Sequence, residues 1–94
     1  MAKKRATAAE RRHLARVASL GCSVCSGPAE VHHITTGVGM GQRASHYETI
    51  PLCPRHHRSG GHGIAIHAGK KTWEENYGSE LDHLEKTART LGGG

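Results

Sequence analysis

Cys22-Ser23-Val24-Cys25 and Cys53-Pro54-Arg55-His56 are two short ligand pairs, a CxxC and a CxxH. Together they offer three thiolates and one imidazole, the number and kind of donors that close a tetrahedral Zn²⁺ site. His57, the next residue, is the alternative fourth ligand at CxxxH spacing. Between the pairs stand His32 and His33, and His67 follows them. With Cys22, Cys25, Cys53 and His56 committed to a structural zinc, His32, His33, His57 and His67 are surplus. Such imidazoles can hold a second divalent cation or move a proton near neutral pH. His62 can stand in for His67 in that set.

A metal staple also answers a shortage of core. The 94 residues include no Phe, one Trp, two Tyr and 13 Gly, and small chains poor in large apolar side chains commonly need such a staple. The three Cys are an odd number, two of them stand in knuckle spacing, and no secretory signal or transmembrane run is visible. Metal ligation in a reducing cytoplasm is therefore expected in place of disulfides, with no membrane partner.

Charge is concentrated at one end. Within the first 20 residues Lys3, Lys4, Arg5, Arg11, Arg12 and Arg16 face Glu10 alone, which accounts for the whole formal charge of +5. A basic arm before a compact domain suits the phosphate backbone of a nucleic acid, because each Lys or Arg near a phosphate releases condensed counterions. Arg55 and Arg58 flank the second histidine pair and suit a phosphate clamp.

Positioning these residues calls for a small α+β domain with flanking helices. Thr7 and Glu10 form a capping box, Leu14, Val17 and Ala18 follow at helical spacing, and Gly21 is a suitable C′ residue, which predicts a helix over about residues 8–20. Glu30-Val31-His32-His33-Ile34 reads as a short strand, with Val31 and His33 on one side and His32 and Ile34 on the other. Residues 35–48 carry Gly37, Gly39 and Gly41 and read as a long loop. Thr49-Ile50-Pro51-Leu52 is a second strand, where Pro51 fits only an edge or an end. Pro54 opens a short helix carrying His56, His57 and Arg58.

Further on, Thr72 and Glu75 predict a second capping box over Trp73 to Tyr77. Ser79 caps a last helix with Leu81, Leu84, Ala88 and Leu91 as its apolar stripe. Trp73 and Tyr77 are expected to pack on one another, and His13 and His83 to face solvent. The organisation expected is a basic flexible arm over residues 1–7, a domain over 8–91 and a disordered tail over 92–94.

Val31-His32-His33-Ile34, Ile50-Pro51-Leu52-Cys53 and Pro54-Arg55-His56-His57 resemble, in order and spacing, the HNH or ββα-metal nucleases, and the two knuckles resemble their zinc-stapled branch. Glu48 to Cys53, His56-His57-Arg58, Ala65-Ile66-His67-Ala68-Gly69 and Trp73 to Gly78 look like the C-terminal domain of the Ref-type RecA-dependent nucleases of phages. The likeness runs from about His13 to about Leu84. The resemblance implies a metal-dependent DNA endonuclease, associated with recombination and with a RecA-type filament as a further partner. It implies His33 as general base and a catalytic Mg²⁺, Mn²⁺, Ni²⁺ or Zn²⁺ on His32, His57 and His67. Ligand type alone favours Zn²⁺, Ni²⁺ or Mn²⁺ over Mg²⁺, which prefers oxygen.

The middle Asn of HNH has no counterpart between the histidine pair and the second knuckle. Its role of holding the base falls to a backbone carbonyl, to Glu48 or Thr49, or to His46. The competing expectation is a non-catalytic zinc module that binds nucleic acid or protein, but a pure binder has no need of imidazoles beyond a completed zinc site.

Overall fold

The structure, a computed structural model, describes residues 5–38 and 44–92. Lys3 and Lys4 of the basic arm, residues 39–43 of the glycine-bearing loop, and the last two residues lie outside them.

Helix α1 (Ala8–Ser19) starts where the capping box predicts: the Thr7 hydroxyl accepts the Glu10 N–H at 3.0 Å and the Glu10 carboxylate accepts the Thr7 N–H at 2.8 Å. Its Val17 is fully buried, while Arg5, just before the helix, and Arg11, Arg12 and Arg16 on it stay exposed. Gly21 ends the helix at φ +83°, and a Cβ there would stand 3.0 Å from the Ser26 carbonyl, so only glycine lets the chain turn directly into the first knuckle.

Strands β1 (Glu30–His33) and β2 (Thr49–Leu52) pair antiparallel, with Glu30 opposite Leu52 and His32 opposite Ile50. β1 alternates as its sequence predicts: His32 and Ile34 are buried, and Val31 and His33 are partly exposed. The two adjacent imidazoles therefore serve opposite faces of the sheet. Pro51 sits within β2, where a two-stranded sheet leaves every strand an edge, and its carbonyl accepts the Ser23 N–H at 2.8 Å, tying the first knuckle to the sheet.

After β2 the expected short helix is a π-helical turn, Arg55–Ser59, closed by the Gly60 N–H on the Arg55 carbonyl at 2.9 Å. A Cβ at Gly60 would meet that carbonyl at 2.4 Å and Ile64 at 2.5 Å, so the close return of the chain requires glycine. A 3₁₀ turn (Ile66–Ala68) presents His67, and helices α2 (Lys70–Tyr77) and α3 (Glu80–Gly92) complete the fold.

Three expectations are corrected here. The Thr72–Glu75 capping box does not form, because α2 begins at Lys70 with Gly69 as its cap and so carries Thr72 in its interior. The stripe of Leu81, Leu84, Ala88 and Leu91 forms only part of the inward face of α3: Leu84 packs half-buried against the core. Leu81 is 51% exposed and Ala88 is exposed, while Glu80, His83 and Thr87 point inward. His83 thus faces the interior, where Tyr77 O accepts its Nε2–H at 2.8 Å and Nδ1 accepts the Ser23 hydroxyl at 2.5 Å. Each of these inward polar groups has a specific partner, which makes its burial tolerable.

The core gathers Ile34, Ile50, Leu52, Ile66 and Trp73 with Cys22 and Cys53. Trp73 is fully buried with its ring 5.6 Å from that of Tyr77, the packing contact expected of that pair. His13 is half-buried against Tyr47, not turned to solvent, with ring centroids 4.8 Å apart. No described helix is long and apolar enough to cross a membrane.

Candidate metal centres

The knuckle between α1 and β1 and the turn after β2 bring Cys22, Cys25, Cys53 and His56 together, with one donor atom from each lying within 4.8 Å of all the others. Cys25 Sγ stands 3.7 Å from Cys53 Sγ, and His56 Nδ1 stands 3.8 Å from Cys22 Sγ and 3.2 Å from Cys53 Sγ. A tetrahedral zinc with its usual Zn–S and Zn–N lengths spaces its donors by roughly 3.5–3.8 Å. The four residues therefore fit a metal such as zinc. The thiols are far outside disulfide length, and all three cysteines are free.

The local electrostatics favour ligation at Cys22 and His56, while at Cys25 the Gly27 backbone bond is outweighed by burial and the neighbouring Cys53 and Cys22 sulfurs, which raise its thiol's pKa. Burial opposes ionisation of Cys22, but the N–H groups of Cys53, Cys25 and Val24 outweigh it and lower the thiol's pKa. Burial, with the charge of Arg55 added, lowers His56 and keeps its imidazole neutral. The alternative of His57 as fourth ligand is not what the geometry shows, since His57 belongs to another cluster.

That second cluster is His32, His57 and His67, drawn from β1, the π turn and the 3₁₀ turn. His57 Nε2 and His67 Nε2 are 3.0 Å apart, and the His32 ring lies 5.1 Å from each of the other two ring centroids. Nitrogens bound at about 2.0–2.1 Å to one cation stand roughly 3.0–3.4 Å apart, so this pair also fits a shared ion. Two of the rings are held from behind by carboxylates: His32 Nε2 is 2.7 Å from Glu80 Oε2, and His57 Nδ1 is 2.5 Å from Glu30 Oε2. Carboxylates in that position fix tautomer and ring angle, and they commonly back histidine metal ligands.

Burial lowers the pKa of His57 despite its bond to Glu30. It lowers His67 as well, with the neighbouring His57 and His32 adding to the effect. Both rings are accordingly neutral near pH 7, with lone pairs for a cation. His62 lies outside the cluster, its Nδ1 3.2 Å from the Ala68 carbonyl.

His33, on the opposite face of β1, is half-buried with Nε2 2.9 Å from His46 Nδ1. Of the candidates for holding this ring, His46 is in contact with it. Glu48 instead takes the Ser45 N–H, and the Thr49 hydroxyl donates to the His46 carbonyl at 3.0 Å.

Arg58 forms a two-pronged pair with Glu30, at 2.7 and 3.0 Å, while Arg55 is exposed beside it. Arg11 and Arg16 reach the carbonyls of Ala6 and Leu91. Glu30 and Glu80 are the residues that motif spacing does not single out. Glu80 lies 48 positions from His32, and nothing local in the chain marks that contact.

No match to a curated protein was found. The DUF968 family, described as proteins of unknown function, matches residues 1–92. With nearly its whole length covered, the chain belongs to the DUF968 family.

Proposed function

We propose that the chain is a metal-dependent DNA endonuclease of the HNH, or ββα-metal, type, with one zinc as staple and a second divalent cation as catalyst. The observation that carries this reading is the presence of two separate donor clusters. Cys22, Cys25, Cys53 and His56 complete one tetrahedral set, and His32, His57 and His67 converge beside it with their carboxylates in place. A module that only needed a staple has no use for the second. The ββα order of β1, β2 and the turn carrying His56 and His57 is in keeping with the resemblance to that nuclease class.

His32, His57 and His67 would hold a divalent cation, which when bound would supply positive charge for the scissile phosphate and the departing oxygen. The chain's own residues do the rest. His33 takes the proton of the attacking water. His46, with Nδ1 2.9 Å from His33 Nε2, helps to keep that ring oriented. Arg55 and the arm bearing Lys3, Lys4, Arg5, Arg11, Arg12 and Arg16 attract the DNA backbone. Arg58 reaches phosphate while its pairing with Glu30 keeps it near His57. A recombinase filament as a further partner rests on the family resemblance alone.

The test is nicking of supercoiled plasmid by the purified chain with Mg²⁺, Mn²⁺, Ni²⁺ or Zn²⁺. Wild type is expected to cut, and His33→Ala to lose about 10²–10⁴-fold in rate with its metal content unchanged. Equal cutting by both removes His33 as base. DNA binding without cutting in any metal favours a non-catalytic zinc module.

A further inference from the structure

Glu80 opens α3 as a carboxylate with no solvent exposure, and its two oxygens do different work. Oε1 accepts the N–H groups of Thr35 and Thr36, both at 2.9 Å, and their hydroxyls at 3.3 and 2.8 Å, with Lys70 Nζ at 3.3 Å. Oε2 stands 2.7 Å from His32 Nε2. An ionised carboxylate can only accept, so His32 Nε2 carries a proton and the nitrogen left to ligate a cation is Nδ1.

We infer that Glu80 is a positioning residue of the three-histidine centre: it locks His32 in the Nε2–H tautomer and so presents Nδ1 to a divalent cation. This rests on the reading of His32, His57 and His67 as a metal site. Glu30 backs His57 in the same manner, but its side chain is 30% exposed and shared with Arg58. Glu80 is fully enclosed and pinned through Oε1 by the Thr35–Thr36 turn, so its orientation is set before any metal arrives.

Glu80→Gln isolates this role with little change of shape. Five donor groups face Oε1, so the amide oxygen must take that side and the amide NH₂ must turn to His32. His32 Nε2 then has to accept, its proton moves to Nδ1, and the ligand lone pair is lost. Thr87→Val, on the same helix, removes the bond from its buried hydroxyl to the His83 carbonyl and leaves the donors around Glu80 alone.

The experiment uses the chain loaded with one equivalent of zinc. Histidine ¹⁵N spectra read the His32 tautomer, a Co²⁺ titration reads the second site, and thermal unfolding reads stability. Wild type is expected to show the Nε2–H tautomer and one Co²⁺ bound beyond the zinc. Glu80→Gln is expected to show the Nδ1–H tautomer and Co²⁺ affinity weaker by about 10–100-fold. Thr87→Val should lower the melting temperature while leaving tautomer and affinity unchanged.

A wild-type His32 in the Nδ1–H form overturns the inference without recourse to any variant. The same tautomer and Co²⁺ affinity in wild type and Glu80→Gln overturn it too, and leave the nuclease reading standing. A wild type that binds no Co²⁺ beyond its zinc overturns the metal-centre reading and this inference with it.

Discussion

At the scale of single residues, the candidate site depends on carboxylates that hold histidines. Glu30 shows the electrostatic consequence. The Arg58 guanidinium, then the bond to His57, draws its pKa from the ordinary 4.5 down to about 2. Because the folded value is depressed, the stability it contributes is present above about pH 4.5 and is lost as pH falls through that window towards 2. Glu30→Gln should therefore flatten acid unfolding between those limits, as followed by circular dichroism, while wild type loses stability across it. Glu80 is depressed as well: its burial opposes ionisation, but His32 and the Thr35 and Thr36 donors outweigh that cost. The ligand residues themselves were legible in sequence because knuckle spacing and strand alternation are local. The residues that orient them were not. Glu80 and Glu30 lie 48 and 27 positions from their partners, and only the folded chain brings them into contact.

At the scale of elements, α3 is the instructive case. Its leucine spacing suggests an apolar stripe, yet the buried residues are Glu80, His83 and Thr87, with Leu84 half-buried against the core. Hydropathy patterns count polar residues as outward, and they fail where each one meets a specific partner. Glu80 meets β1 and the turn after it, His83 meets the first knuckle through Ser23, and Thr87 bonds back to the His83 carbonyl at 2.8 Å. By contrast, α1 and both strands were legible because cap, alternation and turn signals agree there. The expected outcome is a contrast in urea unfolding. Leu81→Ser should change stability by less than about 0.5 kcal/mol. His83→Leu, which strands the Ser23 hydroxyl and the Tyr77 carbonyl, should cost about 1–3 kcal/mol. In α1, Thr7→Ala should cost about 1 kcal/mol through loss of the cap.

At the scale of the whole molecule, charge and metal set behaviour. The excess of +5 sits in the first 20 residues, ahead of a domain in which bases and acids balance. If Lys3, Lys4 and Arg5 contact phosphates, replacing all three with Ala should reduce the slope of log affinity against log salt on duplex DNA by roughly 3. An unchanged slope would place DNA contact elsewhere.

Cys22, Cys25, Cys53 and His56 could hold a metal such as zinc, and a metal there would join α1's exit, β2 and the π turn around a small core that includes Cys22 and Cys53. Binding energy at such a site is folding energy. The most direct measurement is elemental analysis of the purified, chelator-free protein alongside Cys53→Ser. One tightly held zinc per chain, lost together with the folded circular dichroism signal in Cys53→Ser, is the expected result. A folded wild type with no bound transition metal would contradict the staple and the second centre built beside it.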